Sequence, residues 1–316
     1  FKIGPSLIEC IKPFDIEFCF FEVIKFLKKI DTNLLTEKIV SSIQKRPIET
    51  LQFLSEKIQD ESIKDFLTLN ETVIEAVFDF TNQNDCDIKS LSILVASQLA
   101  PEKFFCQKFI KNLFHYLLCC QFKKVKLTIL QCLNNHLDHC SEEIKDKFAD
   151  CNVLIVLKNL LNQNSMQEIQ LETIKLVCKL KRIKSLKLEE VVKPYLSFFL
   201  PFSDIKDKTF QNYIISPHQL SISANFLPII FDSFPQFIPD YFQAFYNFSM
   251  DFMNMLLNSG DDFTRHSKLN LNKLNEKMFF QRNFFRTIFC SYSHSLEIIL
   301  GKDPEIMKPY FDEIIN

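Results

Sequence analysis

Apolar residues recur at spacings of three and four along most of this chain, and no stretch alternates strictly between apolar and polar positions between turn signals. The first pattern winds apolar side chains onto one stripe of an α-helix, whereas a half-buried strand needs the second. An all-α fold is expected. An opening helix is predicted over about residues 15–30, then helices over 34–45 and 48–58, with Pro47 at a first-turn position where its missing N–H leaves no bond unmade. Asn70 reads as the N-cap of a helix carrying Val73 and Val77; a helix over 88–99 follows, and Pro101 restarts the pattern over 102–120. Ser165, Met166, Gln167 and Glu168 have the form of a capping box, in which the Ser and Glu side chains satisfy orphan backbone N–H groups. That box opens a helix running to about Arg182.

The same unit recurs three times. An apolar helix, a polar break and a second apolar helix appear over 73–80 and 90–99, over 109–114 and 128–133, and over 156–161 and 173–178. The first halves repeat after 36 and then 47 residues. Such a unit cannot bury its apolar face alone and has to stack on its neighbours. The expected architecture is a right-handed α-solenoid of about seven to nine stacked helix pairs. Its regular part spans 73–180 within a repeat region over 1–187. Beyond Lys187 the prolines at 194, 201, 217, 228, 235 and 239 interrupt the pattern more often, so 188–316 is read as an irregular continuation of the helical array. Long helices are expected over 241–257 and 279–300, with a polar loop over 258–275 between them.

Residues 151–161 and 162–180 together resemble an armadillo or HEAT repeat, and 109–137 looks like the preceding copy. In armadillo repeats the last helix of each unit lines a concave groove. The resemblance therefore implies protein-binding positions at Gln98, at Gln131 with Asn135, and at Lys175 with Lys179. The Trp and Asn of the importin-alpha type, four residues apart, align with Leu94 and Gln98, Gln131 and Asn135, and Lys175 and Lys179; only Asn135 keeps the asparagine. The glycine that bends armadillo units is absent from all three copies, which favours a divergent or HEAT-like array.

Composition narrows the chemistry. With three glycines in 316 residues there is no phosphate loop, nucleophile elbow or dinucleotide fingerprint, and no HExxH occurs; no catalytic residue and no cofactor are expected. A formal net charge of -2 gives no global pull toward nucleic acid or anionic lipid. The basic run Lys175, Lys179, Lys181, Arg182, Lys184 and Lys187 stands against Glu172 and would attract an acidic peptide. A nucleic-acid-binding solenoid using that edge is the rival reading, and a nuclear-transport-receptor-like segment a more specific form of the first. Cys132, His136 and Cys140 fall at i, i+4 and i+8, but zinc needs four convergent ligands and one helix supplies only a stripe, so no metal is expected. Eleven cysteines, an odd number with no Cys-x-x-Cys, read as reduced thiols in a cytoplasmic or nuclear protein. The uncharged stretch 209–231 is too rich in Ser, Asn, Gln and Pro to cross a membrane. The 35 phenylalanines look compositional, and the aromatic run from Phe231 to Phe252 is either a thick inter-helix core or a groove for a partner's helix. A chain opening on Phe1 reads as a segment of a longer protein. The expected function is a non-enzymatic scaffold or adaptor that holds an extended or acidic segment of another protein.

Overall fold

The computed structural model describes residues 32–138, 140, 143–144, 148, 152–161, 167–181, 183, 186–196, 226–243, 246 and 282–310. Every regular element among them is helical. The expected opening helix, Ser165 and the polar loop over 258–275 lie outside the described residues. The chain divides into two compact units, Phe1–Leu160 and Leu161–Asn316. The 187/188 division drawn from proline density falls inside the second.

In the first unit, α1 (Thr32–Lys45) is followed by α2 (Pro47–Lys57), α3 (Glu61–Thr68), α4 (Glu71–Phe80), α5 (Cys86–Leu99), the single turn α6 (Pro101–Phe104), α7 (Gln107–Cys119) and α8 (Lys123–Leu137). The stretch expected as one helix from 102 to 120 is two, because the chain leaves helical geometry at Cys106, which is extended at φ -68 and ψ 146. Phe104 and Phe105 at the break are both buried. Periodicity alone does not register such a break, since Phe104, Phe105, Phe109 and Ile110 still look helical in spacing. No glycine makes the turns. Where the chain enters α9 (Val153–Leu161), the left-handed residue is Asn152 at φ 53, a conformation asparagine tolerates better than most side chains.

Helices α1 and α2, α4 and α5, and α7 and α8 pack pairwise. Across pairs, α1 lies against α4, while α5 is flanked by α2 and α8. Second helices of successive pairs thus stand side by side, and α5 is the central one. Polar side chains tie successive pairs together at a nearly constant separation. Asn70 bonds Thr36 across 34 residues, Lys103 Nζ meets Glu71 Oε1 at 2.7 Å across 32, Tyr116 donates to Asn82 Oδ1 at 2.8 Å across 34, and Lys124 clasps Asp87 across 37. Asn70 does stand at the N-cap position of α4, yet its side chain makes no capping bond there. It is spent on Thr36 of α1 instead. A side-chain cap does form at Asp85, whose Oδ1 accepts from the N–H groups of Asp87 and Ile88 at 2.8 and 2.9 Å at the start of α5.

Phenylalanines build the core between these pairs. Phe78 meets Phe109 edge-on at 4.8 Å, Phe104 touches Phe109 at 5.4 Å and Phe105 at 5.3 Å, and Phe105 and Phe114 both reach Phe148, at 6.3 and 5.7 Å. Separations and tilts of this kind suit the ring quadrupoles.

The second unit holds α10 (Gln167–Leu180), α11 (Glu189–Leu196), helical residues 226–233 and 238–243, and α12 (Arg282–Lys302). Buried Gln170 donates to the Leu161 carbonyl at 2.9 Å and so satisfies one of the orphan acceptors at the end of α9. The aromatic run proves to be core wherever it is described. Phe231, Phe234, Phe237, Tyr241, Phe242 and Tyr246 are all buried, with rings meeting between Phe234 and Phe237 at 6.0 Å and between Phe242 and Tyr246 at 5.9 Å. Those rings cannot line an open groove. Leu160, the residue before the second unit begins, is buried as well.

Candidate functional site

The five positions aligned as groove residues fall on both units. Gln98 lies on α5 and Gln131 and Asn135 on α8, all in the first; Lys175 and Lys179 lie on α10 in the second. Each group is described by itself.

Helix α8 buries Val125, Ile129, Leu130, Cys132, Leu133 and Leu137 and leaves a stripe through Lys124, Thr128, Gln131 and Asn135 open or half-open to solvent. On α5 the equivalent stripe is Asp87, Leu91, Leu94 and Gln98, in which each residue precedes its α8 counterpart by 37 positions. Steps of four, three and four residues keep each set on one helical face. The two stripes belong to adjacent helices, with the Lys124–Asp87 clasp at equivalent positions of both. That hydrogen bond raises the Lys124 pKa, with the Asp87 charge adding to it and slight burial opposing it. Eleven residues of helix rise about 16 Å, the span of about five residues of extended chain.

Within this surface Gln131 and Asn135 present exposed amides one turn apart. Gln98 differs: its Oε1 is sealed from solvent and meets no hydrogen-bond donor among the described residues. A buried acceptor left without a donor costs about 1–3 kcal/mol. The resemblance pointed to the three amides but not to the clasp, although the 37-residue offset joining Asp87 to Lys124 was there to be read.

The lysine pair is less open than its sequence suggests. Lys175 Nζ donates to Glu172 Oε1 at 2.7 Å, one turn away on α10, so part of its charge is already answered. The third element of the basic run, Lys181, donates to the Ser233 carbonyl at 2.9 Å.

The cysteine and histidine stripe is divided among separate environments. Cys132 is buried, His136 packs its ring 6.5 Å from that of Phe105, and Cys140 donates to the His136 carbonyl at 3.3 Å. Among the described residues no three His, Cys, Asp or Glu side chains converge as metal ligands, and every described cysteine is a free thiol. Burial pushes the Cys132 thiol from its ordinary 9.0 up to about 11, against a hydrogen bond with Ser97 that works the other way. The unfolded chain, whose thiol keeps the lower value, loses the proton first as pH rises. Stability from this group is therefore whole below about pH 8.5 and drains away as pH climbs toward 11, by about 2–3 kcal/mol at most. Urea midpoints measured from pH 8 to 10.5 should fall more steeply for the natural protein than for Cys132→Ala; parallel profiles would mean that the thiol is not sealed in the core.

No protein-family model matches the sequence, and no curated protein matches it. Among solved structures the chain is similar to an engineered protein at 14% identity, with a TM-score of 0.47 over 84% of this chain and 97% of that one. A second engineered protein is similar at 13% identity, with a TM-score of 0.38 over 87% of this chain and 77% of that one. At such scores the likeness carries no argument about fold or function. No helix among the described residues is long and apolar enough to cross a membrane.

Proposed function

We propose that this chain is a non-enzymatic scaffold of the armadillo or HEAT type, a solenoid of stacked helix pairs that holds an extended segment of another protein. The side-by-side packing of α2, α5 and α8 and the ties between pairs across 32 to 37 residues support the repeat reading. The observation that carries the binding reading is the pair of exposed amides of Gln131 and Asn135, one turn apart on α8 beside α5. Side-chain amides offer both a donor and an acceptor, which is the complement of a peptide main chain whatever its sequence. Lys175 and Lys179 on α10 supply a separate, weaker attraction for acidic residues, because exposed lysine charge is screened by salt and partly answered by Glu172.

The test is capture from lysate of the parent organism on the immobilised natural chain and on Gln131→Ala with Asn135→Ala, with and without nuclease. Proteins that survive nuclease and are retained about ten-fold less by the double variant are the expected result, since two lost hydrogen bonds are worth about 1–3 kcal/mol. The variant's melting curve should match the natural one because both side chains are exposed. Capture that disappears with nuclease, and that weakens by orders of magnitude between about 50 and 200 mM salt, would replace this reading with nucleic-acid binding.

A further inference from the structure

The lysines of this chain are unevenly placed. Although the whole carries a net charge of -2, residues 107–137 contain Lys108, Lys111, Lys123, Lys124 and Lys126 and no Asp or Glu. Lys124 is clasped by Asp87 and Lys126 is buried. Lys108, Lys111 and Lys123 remain exposed and meet no acidic group among the described residues. Neither α7 nor α8 has an acidic residue in its first turn, so the positive ends of both helix dipoles go unanswered by their own side chains.

The far end of α7, where the chain turns into α8, exposes apolar surface. Leu118 near the end of α7 is 37% exposed and Phe122, in the turn before α8, is 49% exposed. Helix α7 turns Phe109, Ile110, Leu113, Phe114 and Leu117 inward, leaving Lys108, Lys111 and Leu118 within its outward arc. Lys108 and Leu118 are ten residues apart, about 15 Å along the axis. A single exposed leucine is ordinary. Lys108, Lys111 and Leu118 on the outer arc of α7, followed by Phe122 and Lys123 at the turn into α8, make a surface with a basic stretch and an apolar end.

We propose that this outward face of α7, with the turn into α8, docks an acidic amphipathic segment of a protein partner. Asp or Glu residues of the segment meet Lys108 and Lys111, and its Leu or Phe side chains cover Leu118 and Phe122. The charges are strung along a helix rather than ringed about the apolar pair, which suits a linear segment better than a lipid surface. The surface lies on a different helix face from the amides of α5 and α8 and does not depend on the reading given to them.

Panning a random peptide library on the full chain tests this directly. Selected peptides should be enriched in Asp and Glu together with Leu or Phe. By fluorescence polarisation the best of them should bind Lys108→Glu with Lys111→Glu, and separately Leu118→Ser with Phe122→Ser, at least about ten-fold more weakly than the natural chain. Affinity for Gln131→Ala with Asn135→Ala should be unchanged. Should the charge reversals lower the melting temperature, Lys108→Ala with Lys111→Ala carries the comparison. Peptides without acidic enrichment, or equal affinity for all variants, would overturn the proposal. So would tighter binding of the natural chain to phosphatidylserine vesicles or to a single-stranded oligonucleotide than to the peptides.

Discussion

Phe104→Ala should destabilise the first unit by about 3–5 kcal/mol, the range for removing a fully buried phenyl ring. Phe104 is the single residue of α6 that is buried, and its ring touches both Phe105 and Phe109, through which it joins the line of rings running from Phe78 to Phe148. Alanine there leaves a void between helices that are held apart by their other side chains, so the lost transfer energy and the lost contacts add. Because the chain has two compact units, a single unfolding midpoint would mix their stabilities. Amide exchange followed by mass spectrometry separates them. Protection should fall across α4, α6 and α7 while that of α12 is retained. Phe122→Ala, at an exposed ring, serves as the control and should change stability by no more than about 0.5 kcal/mol. Equal effects for the two would mean that the Phe104 ring is not enclosed.

Ile93→Ala should cost about 2–5 kcal/mol and should be felt beyond its own helix. Ile93 is fully buried at the middle of α5, which packs against α4, its own partner, and against α2 and α8 on either side. In a stack where each pair leans on its neighbours, loosening the central helix removes support from both. Amide protection should therefore drop in α2, α4 and α8 as well as in α5. A loss confined to α5 would show that the flanking helices hold without it, and would count against reading the first unit as a stacked array.

The helical character and several boundaries were legible where the information is local. Helix α2 begins at Pro47, α5 ends at Leu99 and α12 ends within two residues of the expected 300, because breaks and caps act over a few residues. Misreadings arose where a local signal was overruled from a distance. Asn70 had the right residue type and position for a cap, but buried Thr36, brought alongside by the packing of α1 on α4, takes its amide. Phenylalanine abundance looked like a compositional bias, and the line of rings from Phe78 through Phe148 shows that part of it is core geometry. The aromatic run after Phe231 could have been a groove or a core, and covering by neighbouring elements made its described rings core.

For the candidate site, the armadillo resemblance, aligned on the apolar positions, pointed to Gln98, Gln131 and Asn135, which lie on the neighbouring helices α5 and α8. Which of their atoms lack partners was decided by packing. Gln98 Oε1 is sealed while the amides of α8 are open, whereas the Lys175–Glu172 pair, one turn apart on α10, is a local contact that spacing alone contains. By itself the sequence determined that the described chain is helical, where several helices start or stop, and which faces of them turn inward, because each of these follows from periodicity and local breaks within a few residues. Only the tertiary structure decided which ring meets which, which polar group finds a partner and which stripe stays open, because those outcomes depend on residues more than thirty positions apart being brought into contact.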